Sequence, residues 1–95
     1  MVVGVMAVHL ALHDNESLKG KRSVLKRLIQ RSKNTFNVSA AEVDDQDALN
    51  KGVLGFVAVG SDKVYVEGLL QKLETFIERA ALADVLRVER TIEHY

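Results

Sequence analysis

The apolar residues of this chain switch between a spacing of two and a spacing near 3.6, and the order of those switches restricts the folds open to it. Val2 to Leu12 alternates. Val2, Met6, Val8, Leu10 and Leu12 share one side with Gly4, and Val3, Val5, Ala7, His9 and Ala11 take the other. Period two with β-branched enrichment predicts a strand. His13 to Glu16 is a polar connection. Ser17 stands as a helix N-cap, because its hydroxyl can accept from an orphan amide two or three residues on. Leu18, Leu25, Leu28, Ile29 and Phe36 then recur at helical spacing, which predicts a helix over about 17–35. Asn34 tolerates the left-handed conformation that often ends one.

Asn37 to Asp44 predicts a second strand, and Asp45 to Lys51 a polar loop. Val53 to Val59 is a nearly continuous apolar run broken by Gly55, the pattern of a central strand. Gly60 to Asp62 supplies a turn and a cap. Val66, Leu69, Leu70, Leu73, Phe76, Ile77 and Ala80 mark a second amphipathic helix. Val85 to Ile92 sets Leu86, Val88 and Ile92 against Arg87, Glu89 and Thr91, as in an edge strand.

The resulting order, β-α-β-β-α-β, is that of the α+β ferredoxin-like fold. Right-handed crossovers place the first and third strands at the centre of a four-stranded antiparallel sheet, with both helices on one face. The 95 residues, with no repeat or linker, form a single domain over 1–95. A chain of this length buries roughly 60–65% of its unfolded surface, so its stability margin is modest.

One sheet face is left uncovered in this topology. Val3, Val5, Ala7, Val53, Val57 and Val59 point to it, and such a patch is larger than a soluble monomer usually exposes. Packing against a second copy or a terminal segment is the first expectation, with a ligand or RNA platform as the other. RNA-binding sheets of this kind stack bases on outward aromatic side chains. Here those positions hold Val and Ala, and Phe56 has core parity, so base stacking is not expected.

The chain carries thirteen basic and thirteen acidic residues, and the zero net charge conceals a strong asymmetry. Lys19, Lys21, Arg22, Lys26, Arg27, Arg31 and Lys33 lie between Ser17 and Phe36 with no acid among them, leaving a balance of −7 elsewhere. Lys19, Arg22, Lys26 and Lys33 fall within roughly a 60° arc of the helix. Without acids three or four residues away, these cations repel one another. Lys19, Lys21 and Arg22 also oppose the dipole of their own helix. A solvated face, self-association with an acidic surface, and contact with a phosphate backbone are the three readings of such a row.

Several chemistries are set aside. The absence of Cys removes disulfides and thiolate metal sites. Glu42, Asp44, Asp45 and Asp47 lack the spacing of a calcium loop. His9 and His13, on one strand face, would stand about 13 Å apart, too far for one metal ion. The acidic run is expected at the opposite end of the sheet from His13, which leaves no His–carboxylate catalytic pair. No Walker-type loop or G-x-S-x-G motif is present. Phosphatases that share this fold cradle phosphate with an Arg-containing loop after the first strand, and His13 to Glu16 contains no Arg. No catalytic residue, cofactor or metal is expected. Met1 to Leu12 is about half a membrane span and lacks the flanks of a signal peptide. The expectation is a cytoplasmic protein without membrane contact.

Ser17-Leu18-Lys19-Gly20-Lys21-Arg22-Ser23-Val24-Leu25-Lys26 resembles the S-L-K-x-K-R-x-V-L-K signature of the YlxP-like proteins, a bacterial family of unknown function. Phe36 to Asp47 resembles its second signature, and the opening strand, the Leu54–Gly60 strand and the second helix are also similar. The resemblance implies the ferredoxin-like fold. Genes of that family often stand among translation genes, which implies a role near the ribosome or its maturation. It carries over no catalytic residue. Members often have Glu where Gly20 stands, which would complete a capping box with Ser17, and His where Asp45 stands.

The combined expectation is a non-enzymatic accessory protein of RNA or the ribosome. Lys19, Lys21, Arg22, Lys26, Arg27 and Lys33 are its candidate contacts with ribosomal RNA or a ribosomal particle. The alternative is a structural homodimer or protein-interaction module joined through Val3, Val5, Ala7, Val53, Val57 and Val59.

Overall fold

In the computed structural model, which describes residues 1–95, the two periodicities form the elements they predict. Val2–Ala11 is β1, Leu18–Thr35 is α1, Ser39–Asp44 is β2, Lys51–Gly60 is β3, Lys63–Ala80 is α2 and Asp84–His94 is β4. The strands lie in the order β2-β3-β1-β4, each pair antiparallel. Both helices cover one face, giving the ferredoxin-like arrangement. Period-two alternation sends Met6, Val8 and Leu10 of β1 and Leu54 and Phe56 of β3 to that face. There they meet Leu25 and Leu28 of α1 and Val66, Leu70, Leu73 and Ile77 of α2 in one core.

Both caps form as their residue types require. The Ser17 hydroxyl accepts from the Gly20 amide at 3.0 Å, and the Asp62 carboxylate accepts from the Tyr65 amide at 2.9 Å. The end of α1 differs from expectation. Asn34 is still helical, and the chain leaves through Phe36 in an extended conformation with φ −125°. The Phe36 ring stands edge-on to Phe76 of α2, with centroids 5.5 Å apart. That packing favours an extended exit over a left-handed turn.

Three further features depart from the pattern. A bulge in β4 interrupts its register with β1 between His9 and Leu10. It turns Leu86 outward, 59% exposed, and the half-buried Val85 and Val88 take the core side instead. Val53 has open-face parity but is only 4% exposed, so it offers almost no surface to a partner. It lies opposite a second bulge, where β2 shifts between Glu42 and Asp44. The acidic run sits at the same end of the sheet as His13, contrary to expectation. β1 and β2 are each antiparallel to β3 and therefore run parallel to one another, so both end on the same side. Leu12 donates its amide to the Asn50 carbonyl there, at 2.9 Å.

Candidate nucleic-acid interface

The charged surface of α1 is set by which residues its core stripe consumes. Lys21, Leu25, Leu28 and Ser32 are the buried residues of the helix. At 100° per residue they span roughly 60°. Lys19, Arg22, Lys26, Arg27, Arg31 and Lys33 are all exposed. They fan over roughly 180° centred opposite that stripe. None of the six lies within ion-pair distance of an acid anywhere in the chain. The first turn contains no acid to offset Lys19, and the nearest acids in sequence, Asp14 and Glu16, lie before the cap.

Lys21 does not belong to that surface. Its side chain is fully buried. The ammonium donates to the carbonyls of Asp45 at 2.5 Å and Ala48 at 2.7 Å, with Gln46 at 3.4 Å. Glu42 Oε2 lies 3.3 Å away but makes no aligned hydrogen bond, so its attraction is mainly Coulombic. Asp45 adopts a left-handed conformation, φ 56°, that directs its carbonyl to the ammonium. The second lysine of the family-like signature is thus a structural staple from α1 to the β2–β3 loop. Its spacing, four residues before Leu25, was the available signal. A lysine among cations hides that signal, because the partners are backbone carbonyls distant in sequence.

The departure at Gly20 has a steric counterpart. A Cβ there would stand 2.6 Å from Asn15 Oδ1. Asn15 is held by donating to the carbonyls of Ser17 at 2.8 Å and Leu49 at 2.5 Å. Asn15 therefore occupies the space that a larger residue at position 20 would require, and it ties the start of α1 to the same loop that Lys21 holds.

Two His–carboxylate pairs form at the end of the sheet, against β4 rather than the acidic run. His9 Nε2 lies 2.6 Å from Glu89 Oε1, and His13 Nε2 pairs with Asp84. With Nε2 donating to Glu89, Arg87 at 3.4 Å from the same oxygen adds attraction. The His9 hydrogen bond, then the Arg87 charge, hold the Glu89 carboxyl below its ordinary range. His9, Asp45, Lys51 and Arg87 border a shallow cleft of about 280 Å³, which has no hydroxyl or thiol nucleophile among its lining residues. No group of three or more His, Asp or Glu side chains converges in a metal-binding arrangement. No helix is long and apolar enough to cross a membrane.

Comparison with known proteins agrees with this architecture. The chain is similar to the uncharacterized protein YlxP of Bacillus subtilis strain 168, at 37% identity over 91 residues, covering 96% of this chain and 94% of the relative. Among solved structures it is similar to a de novo designed protein with a ferredoxin fold, at TM-score 0.56 and 15% identity, covering all of this chain and 87% of the other. It is also similar to SnoaB, a cofactor-independent oxygenase from Streptomyces nogalater, at TM-score 0.51 and 14% identity, with 98% and 92% covered. At such identities the likeness is one of fold alone. A family model described as "Protein of unknown function (DUF503)" matches residues 3–90, and with that span and the YlxP relative, the chain belongs to the DUF503 family.

Proposed function

We propose that the protein is a non-enzymatic RNA-binding accessory factor that lays α1 along the phosphate backbone of structured RNA. Ribosomal RNA is the target its family resemblance favours. The observation that carries this reading is the set of six exposed, unpaired cations on the outward half of α1. From Lys19 to Lys33 the helix rises about 21 Å, long enough to follow several successive phosphates. Side chains of this kind set position and affinity without reading bases. The aliphatic open face of the sheet, with no outward aromatic on its central strands, supplies no stacking platform. Recognition would then depend on backbone shape and charge.

The test is binding to ribosomal RNA across a salt series, paired with sedimentation of ribosomal particles at low and high salt. Reversing Lys19, Arg22 and Lys26 to Glu together should abolish co-sedimentation. In any residual binding, the slope of log affinity against log salt should flatten by about 2–3, for three lost phosphate contacts. Unchanged affinity and slope in a variant with intact circular dichroism would refute the proposal.

A further inference from the structure

The open face of the sheet has a relief, and at Glu93 a charge, that find their complement on a second copy of the same face in one two-fold orientation. Strand register arranges its residues in rows. The first row holds Val59, Val3 and Glu93, and the second Ser39, Val57, Val5 and Thr91. The third holds Ala41, Gly55, Ala7 and Glu89. The fourth holds Asp44, Val53, His9 and Arg87. Val5, Val57 and Val59 are 43%, 43% and 49% exposed and stand out as knobs. The third row is built from small residues, and a depression of about 340 Å³ lies over it, bordered by Val5, Val57 and Val43. Gly55 is required there, because a Cβ would fall 2.8 Å from Val43 Cγ1.

We infer that this face is the contact surface of a two-fold dimer of the chain, with the axis crossing the strands between the second and third rows. Rotation about that axis lays row two on row three of the partner and row one on row four. Val57 and Val5 of each copy then enter the depression over Gly55 and Ala7 of the other. Glu93 meets Arg87 across the interface, twice by symmetry, and Thr91 meets Glu89. Glu93 makes no ion pair within its own chain, so its charge is free for this contact. The other two-fold arrangement, with the axis along the strands, sets valine on valine and the depression over itself. It brings Arg87 over Asp44 of the other copy but leaves Glu93 without a cation. Face-packed sheets cross at about 30°, a rotation that long side chains such as Arg87 and Glu93 accommodate.

Four strands and four rows cover on the order of 500 Å² per copy in projection. That is near the lower bound of specific interfaces, about 600 Å² of accessible surface per partner, so the pair should form in the micromolar range. This pairing is independent of the RNA reading, since α1 lies on the other side of the sheet. In the dimer both basic helices face outward.

Light scattering and sedimentation velocity from low to high micromolar concentration test it. The wild-type mass should rise toward twice that of the chain. Val57→Lys, Glu93→Arg and Arg87→Glu should each hold the protein at monomer mass with unchanged circular dichroism. Combining Glu93→Arg with Arg87→Glu should restore the dimer, because the swapped charges still meet. Glu93→Arg alters only a surface residue and keeps the test decisive if the other single variants fold poorly. A wild type that stays monomeric overturns the pairing and leaves the face to a different partner. A dimer that survives Val57→Lys or either single charge reversal, or a double variant that stays monomeric, also overturns it.

Discussion

Replacing Lys21 by Met tests whether the family-like signature encodes stability at this position rather than binding. Met nearly preserves the length and apolar stem of the side chain and removes only the ammonium. The carbonyls of Asp45 and Ala48 then lose their short hydrogen bonds, and Glu42 loses its one ion-pair partner. A hydrogen bond to a charged group contributes about 1.5–3 kcal/mol. Breaking a buried ion pair from one side costs about 3–5 kcal/mol. The two figures describe overlapping losses, so we take about 3 kcal/mol as the expected effect. A chain of 95 residues has about 5–14 kcal/mol of total stability, so the loss is a large fraction of it. At about 4–8 °C per kcal/mol for a domain of this size, the melting temperature should fall by about 12–24 °C. Urea unfolding followed by circular dichroism measures the free energy. Limited proteolysis should find the 45–50 loop cut faster in the variant. Adding Glu42→Met should recover part of the loss, since the orphaned carboxylate is then removed as well. A Lys21→Met protein within about 0.5 kcal/mol of wild type, the usual range for surface changes, would refute the staple.

Two further outcomes are expected. Ser32 Oγ is fully buried without a hydrogen-bond partner. Ser32→Ala should therefore raise unfolding stability by about 1 kcal/mol in the same urea assay, and a loss of stability would mean that the hydroxyl is satisfied in solution. Glu89 titrates below its ordinary value of 4.5 because His9 donates to it and Arg87 lies beside it. A depressed carboxyl pKa gives stability that is fully present above the unfolded value and is lost as pH falls through the folded value. Stability measured from neutral pH downward should fall on that acid side, and His9→Ala should flatten this part of the profile. An unchanged profile would remove the His9–Glu89 pair as its cause.

Local pattern carried far in this chain because short-range physics decides most of its elements. Ser17 and Asp62 cap helices through amides three residues away, and the Val2–Leu12 alternation needs no distant partner to define its two faces. Departures arise where a distant contact competes with a local preference. Phe36 finds Phe76, and the expected left-handed end of α1 does not form. The β4 bulge against β1 reverses Leu86, because one extra residue flips the parity of those before it.

Element order, the core parity of β1 and β3, and the acid-free run of cations on α1 are legible in the order of the residues alone. These follow from periodicity and composition, which are properties of neighbouring residues. Which cations remain on the surface depends on contacts made by the folded chain. Lys21 and Lys19 look alike in the sequence, yet Lys21 is withdrawn into the interior by Glu42 and the carbonyls of Asp45 and Ala48, which lie more than twenty residues away. The fold also decides that the acidic loop and His13 share one end of the sheet, since that depends on which strands pair. Burial of a charge is a transaction with distant partners, and no local spacing specifies who they are.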